Sequence, residues 1–235
     1  MSIHGLFPID KWDFKTESIV STLPEQDYKL LMSNQQEHNY KKGDMLFREG
    51  SYAGGIFYIQ KGRIKKFKTD EEKREHIIYV ANKGELIGYH AILADGRYSD
   101  SASALEDSVV SLISKDDFLL ALQQSSVLIQ RLLKTLAHEF SVLTNNLSLF
   151  SQKTARERLA LHLVVIREKY KENFKPGMLV EIDLSRDDLA HIVGTARENV
   201  VRILSDFKQE GIVETRGRKI IVLDVNKLIS IANYK

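Results

Sequence analysis

Apolar positions along the chain change their spacing twice. From about residue 40 to 114 they alternate over short runs (MLFREG, IFYIQKG, RIKKFK, EHIIYVANKG, ELIGYH and SVVSLIS). The runs are bounded by turn chemistry such as Lys42-Gly43-Asp44, Ala53-Gly54-Gly55 and Asp95-Gly96. Period-two alternation closed by Gly, Asn and Asp at regular spacing predicts an antiparallel sandwich or barrel. Ahead of it, residues 16–36 read as one or two short helices, with Ser21-x-x-Pro24-Glu25 as a start signal.

From about 116 to 152 the period becomes helical. Ile129, Leu133, Leu136, Phe140, Leu143, Leu147 and Phe150 follow one another at spacings of 4, 3, 4, 3, 4 and 3, with no Pro or Gly between them. A helix lying on its own domain and a self-paired dimer seam both fit such a stripe; the strict 3.5-residue repeat favours the seam. Val127, Leu128 and Leu132 widen the apolar face near the start, so that end is expected to pack on the β domain as well. Beyond 153 the pattern predicts a helix (155–172), a loop over Asn173–Leu179 containing Pro176-Gly177, two short helices and a hairpin.

The two short helices carry the most information. Ser185 is spaced to cap the first, with Asp188 three residues on, and Gly194 ends it; Thr195 is spaced to cap the second, with Glu198 at the capping-box position. Two helices joined by a tight Gly-containing turn form a helix-turn-helix. At 100° per residue, Val200, Ile203, Leu204 and Phe207 share a core-facing side of the second helix. Arg197, Glu198, Val201 and Arg202 are left outward. Two guanidiniums, a carboxylate and a small aliphatic group are the types that read guanine, cytosine and the thymine methyl. The hairpin that follows, Gly211–Thr215 and Ile220–Asp224 around Arg216-Gly217-Arg218-Lys219, reads as a wing with a phosphate-facing tip. Arg186 and Thr195, at the starts of the two helices, complete the set placed at the DNA backbone.

Composition narrows the classes further. The 235 residues contain no cysteine, which removes disulfide scaffolds, thiolate metal sites, cysteine-bound iron–sulfur clusters and thiol catalysis. No run of 18 apolar residues occurs and MSIHGLFPIDKWDF has no signal-peptide pattern, so no membrane association and a cytoplasmic location are expected. Residues 153–235 carry 16 Lys+Arg against 12 Asp+Glu, and residues 1–152 carry 18 against 20. That basic C-terminal third suits a polyanion. No HExxH, Walker loop, Ser/His/Asp ordering or dinucleotide fingerprint is present, and the seven histidines are scattered, so no enzyme is expected.

Taken together, these motifs resemble the CRP/FNR family of bacterial transcription regulators, over residues 24 to about 224. The resemblance rests on Gly43-Asp44, Gly50, Phe57-Tyr58-Ile59, Gly62, Gly84, Ile87-Gly88, the heptad helix, Arg156-Glu157-Arg158-Leu159-Ala160, Arg197-Glu198 with Arg202, Gly211-Ile212, Arg218 and Leu223-Asp224. It implies an α+β fold: a cyclic-nucleotide-binding-type β-roll (double-stranded β-helix) over 1–124, a dimerisation helix over 125–152 and a winged helix-turn-helix over 153–235. It also implies a homodimer on palindromic double-stranded DNA, with Arg197, Glu198 and Arg202 at the base-reading positions of the cyclic-AMP-receptor type and a half-site similar to TGTGA. Arg186 and Arg216 match backbone-contacting positions, Thr154 a hinge, and the loop Tyr170–Met178 a place that contacts RNA polymerase in relatives.

The effector site departs from the family pattern. In nucleotide binders a Glu follows the Gly of Phe/Ile-Gly, and an Arg about ten residues later pairs with the cyclic phosphate. Here Tyr89 follows Gly88, and Ser99-Asp100 stands where the Arg is expected. Cyclic AMP in the usual mode is therefore not expected, and no cofactor is predicted. Gly88, Tyr89, His90, Ser99 and Asp100 remain as pocket positions for an unidentified small molecule. Haem would need an axial ligand such as His76 or His90, although a lone histidine is more often structural. An alternative function is a helix-turn-helix that contacts a protein partner.

Overall fold

The computed structural model describes residues 7–14, 16–171 and 179–233. They gather into two compact units: one spans Phe14–Phe140, and the other joins the residues up to Asp13 with Ser141–Lys235. The division falls inside the long helix and not at its ends. Among the described residues no helix is long and apolar enough to cross a membrane.

The Phe14–Phe140 unit holds eight short strands: β1 (Gln36–Tyr40), β2 (Met45–Phe47), β3 (Gly55–Lys61), β4 (Ile64–Thr69), β5 (Glu75–Ala81), β6 (Leu86–Ile87), β7 (Ser101–Ala104) and β8 (Ser108–Ser114). They form two four-stranded antiparallel sheets in the orders β1-β8-β3-β6 and β2-β7-β4-β5. These are the packed antiparallel sheets that the alternating pattern predicts, in the roll that the family resemblance implies. Gly62, in the β3–β4 turn, has φ +88°, and a Cβ there would meet the Ser108 hydroxyl at 2.2 Å, so both backbone and space demand glycine. Between the sheets Phe47 packs on Phe57 and stacks on Tyr98.

Among the described residues four α-helices complete this unit, after a short 3-10 turn at Thr16–Ile19: α1 (Glu25–Met32), α2 (Tyr89–Leu93), α3 (Lys115–Gln124) and the start of α4 (Ser126–Gln152). Ile56, Leu86 and Ile113 of the sheet bury against Ile19, Leu31, Phe118, Leu128 and Leu132. One face of α4 is thus committed to the roll, and that face includes Leu128 and Leu132. The opposite face is not. Ile129, Leu133 and Phe140 are exposed in this unit, and Leu136 is half-buried.

In the other unit α4 continues with Val142 and Leu149 buried and Leu143 and Leu147 exposed. Phe150 differs from the rest of the stripe. Its ring lies where a Cβ on Gly194 would fall, 2.6 Å away, and the Arg158 guanidinium sits 5.4 Å from its centroid. Next come α5 (Ala155–Lys169), β9 (Glu181–Asp183), α6 (Arg186–Val193), α7 (Arg197–Gln209), β10 (Val213–Arg216), β11 (Lys219–Val222) and α8 (Val225–Ala232). Thr154 opens α5 with a reciprocal capping box: it accepts from the Glu157 N–H, and the Glu157 carboxylate accepts from the Thr154 N–H at 2.8 Å.

Three features of this unit were not anticipated. β9 adds a third strand beside β11, giving the order β10-β11-β9. Helix α8 follows the wing, capped by Asp224 accepting from the Lys227 N–H. Phe7, Ile9 and Trp12 are buried in this unit, where Asp13 pairs with the buried Lys169 at 2.9 Å and Asn145 donates to the Lys11 carbonyl. Helix α5 also stops at Lys169, short of 172, with Tyr170 as its cap.

Candidate nucleic-acid interface

The second helix of the helix-turn-helix is sorted cleanly. Val200, Ile203, Leu204 and Phe207 of α7 are buried, and Arg197, Glu198, Val201 and Arg202 are exposed on the other side. Helix α6 begins as the sequence predicts: Ser185 accepts from the Asp188 N–H at 2.9 Å and ends at Gly194 in the left-handed conformation, φ +65°. The start of α7 needs a correction. Its cap is Ala196, which makes no side-chain cap, and Thr195 instead accepts a hydrogen bond from the Asn199 amide at 3.1 Å. The chain enters the helix one residue later than the Thr195–Glu198 spacing suggests. Glu198 therefore lies in the first turn, outside any capping box.

The basic groups placed at the DNA backbone are engaged with their own unit. Arg186 donates to the carbonyls of Arg218 and Gly217 at 2.9 and 3.2 Å, stapling the wing to the start of α6. Burial, with the like charge of Arg197 nearby, lowers its guanidinium below the ordinary arginine value. On the wing Arg216 makes a two-pronged pair with Glu214, Arg218 pairs with Asp183, and Lys219 pairs with Glu181 at 2.6 Å. The carboxylates raise Arg216 and Lys219 above their ordinary values, mainly through those hydrogen bonds. Arg197 has a looser partner, Asp187 at 3.4 Å, with both side chains more than half exposed. The sequence reading picked out the cations and missed the acids. Glu214 and Arg216 stand two apart on one strand and hence on one face, a signal that was available.

In the roll the five pocket positions have different immediate partners. Gly88 has φ +89° and precedes α2. Tyr89 is buried and donates to Glu139 of α4 at 2.6 Å, while His90 stacks on Tyr89 and meets the other Glu139 oxygen at 2.7 Å. Burial, then the Glu139 charge, pushes the Tyr89 hydroxyl far above its ordinary range, so it stays a donor. Asp100 pairs with Lys66 of β4 at 2.9 Å, and Ser99 is exposed. Between them Tyr98 closes the loop, its hydroxyl donating to the Gly55 carbonyl at 2.6 Å.

A roll of nucleotide-binding type and a winged helix-turn-helix, sharing one long helix, define a class: transcription regulators with an effector-type sensory domain. The comparisons agree. The family model for the cyclic nucleotide-binding domain matches residues 37–125, and that for the Crp-like helix-turn-helix domain matches 157–231. The chain is 28% identical to the transcriptional activator protein Anr of Pseudomonas aeruginosa over 192 residues, covering 82% of this chain and 78% of that one. It is 26% identical to the cyclic AMP receptor protein of Thermus thermophilus over 191 residues, 81% and 85% of the two chains. Among solved structures, FixK2 from Bradyrhizobium japonicum shares the fold, with a TM-score of 0.73 at 23% identity over 84% of this chain and 96% of that one. The chain belongs to the CRP/FNR family of transcription regulators.

Proposed function

We propose that this protein is a sequence-specific DNA-binding transcription regulator, cytoplasmic and homodimeric, that acts on a palindromic operator. The observation that carries the reading is α7: a fully buried apolar side opposite an exposed row of Arg197, Glu198, Val201 and Arg202. In a two-fold dimer two such helices enter successive major grooves roughly 34 Å apart, which sets half-sites about one turn apart. The exposed positions of the α4 stripe from Ile129 to Leu147 supply the self-complementary surface. Arg216, Arg218 and Lys219 reach phosphates by exchanging their carboxylate partners, and Arg186 and Thr195 position the wing and the helix start. An unidentified small molecule gates the roll, and cyclic AMP in the usual mode does not, because by the family resemblance Ser99-Asp100 stands where the phosphate-pairing Arg is expected, Asp100 is itself paired with Lys66, and Tyr89 is tied to Glu139. RNA polymerase is a partner through the loop after α5, of which residues 172–178 lie outside the described residues.

Selection from random duplex DNA at physiological salt, with and without cyclic AMP, tests this reading. A palindromic site recovered without nucleotide is expected. Enrichment only with cyclic AMP would overturn the effector part, and no enrichment under either condition would favour the protein-partner alternative.

A further inference from the structure

Three consecutive side chains at the start of α6 go to three different places. Arg186 donates to the carbonyls of Arg218 and Gly217 on the wing. Asp188 closes the Ser185 cap: its carboxylate accepts from the Ser185 hydroxyl at 2.6 Å, and its N–H donates back to that oxygen. Asp187 faces α7 instead, with Oδ1 3.4 Å from Nε of Arg197. The pair stands on a stiff base. Leu189, Ala190, Ile192 and Val193 of α6 and Val200, Ile203 and Leu204 of α7 are buried where the two helices pack. Between the helices the Thr195 N–H donates to the Ala190 carbonyl at 3.2 Å, and Asn199 holds the Thr195 hydroxyl.

Electrostatics gives Asp187 a task. Arg197 is the first residue of α7, where unpaired N–H groups make a helix end positive and a cation unfavourable. Arg186 adds a second like charge nearby. Asp187, in the first turn of α6, occupies a place that favours a carboxylate and offsets both. The closest approach is at Nε, which leaves the terminal amino groups of Arg197 available as the fork that pairs with O6 and N7 of guanine. A carboxylate beside that guanidinium also repels a phosphate.

We infer that Asp187 is a positioning residue for DNA sequence readout: it aims Arg197 at a base edge and keeps it off the phosphate backbone. It thereby sets how sharply one base pair of each half-site is read. The inference rests on the DNA-binding reading above and assigns part of that specificity to a residue outside α7.

The experiment is equilibrium binding of the full-length protein, by fluorescence anisotropy, to the selected operator, its single-position variants and a duplex without the site. Arg197→Ala should abolish preference at one base pair. Asp187→Asn should blunt preference at that same base pair by about two- to fivefold, the span an exposed charge pair supports. It should also tighten binding to the unrelated duplex and steepen the salt dependence, because Arg197 is then free to meet phosphate. Asp187→Glu should restore weak binding to the unrelated duplex. In the double variant the base preference should equal that of Arg197→Ala alone, since Asp187 acts only through Arg197. Both side chains are more than half exposed, so every variant is expected to fold and to melt as wild type does. The inference is overturned if Asp187→Asn leaves that preference unchanged or weakens every position alike, or if the double variant differs from Arg197→Ala. If Arg197→Ala itself keeps every base preference, the assignment of the reading face fails, and this inference with it.

Discussion

Replacing Phe140 by alanine separates the two faces of α4. Phe140 is 70% exposed in the single chain, whereas Leu132, eight residues earlier on the roll-facing side, is 3% exposed. An aromatic side chain offers roughly 200 Å² for burial, so about 140 Å² of Phe140 awaits a partner. Alanine keeps about a third of that, and at about 25 cal/mol per Å² the loss is about 2 kcal/mol per protomer. Two-fold symmetry doubles it to about 4 kcal/mol, which weakens dimerisation on the order of 1,000-fold. The single chain loses little, since the ring is mostly in water there. Sedimentation equilibrium over a concentration series reads the dimer constant, and unfolding below that constant reads the protomer. Leu132→Ala is the contrast: a cavity costing about 2–5 kcal/mol of protomer stability. An unchanged dimer constant for Phe140→Ala would refute the assignment of the exposed stripe as the seam.

Other predictions address the DNA-binding unit. Arg202→Ala should cost about 1–3 kcal/mol on the selected operator and relax preference at one base pair, read by binding to single-position variants of the site. Glu181→Gln and Glu214→Gln release Lys219 and Arg216 from their carboxylates, so affinity for any duplex should rise and the plot of log K against log salt should steepen. Thr154→Ala removes a cap and should cost about 1 kcal/mol in unfolding experiments. Glu157 is held below its ordinary value chiefly by the Thr154 N–H, so it favours the fold above its unfolded-state value. That contribution is lost as pH falls through the depressed folded value, and Glu157→Gln should flatten this part of an acid-stability profile.

Periodic features were legible because a single element records them. The α4 stripe and the two-sided α7 depend only on residue spacing along one helix, and the structure places Val200, Ile203, Leu204 and Phe207 inside as that spacing requires. The roll was legible through its turns. Features that join distant segments were not. Lys66 and Asp100 are 34 residues apart and Tyr89 and Glu139 are 50 apart, with no local pattern to pair them. The expected capping role of Thr195 is not seen: helix ends shift readily by one residue, and here Ala196 holds the cap position while Thr195 is bonded to Asn199. β9 was too short, at three residues, to show alternation. Helix α8 did carry a signal, the Asp224 cap ahead of apolar Val225, Leu228 and Ala232, which the reading of the wing passed over.

The paired charges of the wing bear on how a regulator finds its operator among competitors. A chromosome offers about a million or more sites to which a basic surface adheres regardless of sequence, and that adhesion draws on counterions released by lysines and arginines. A wing whose three cations already hold carboxylates has less to gain from an arbitrary phosphate. On the proposed reading it would give up those partners, which it holds in the free protein, only where α7 meets base edges as well. Such a surface spends less time on the bulk of the DNA, and more of the protein is left to reach the few sites that matter.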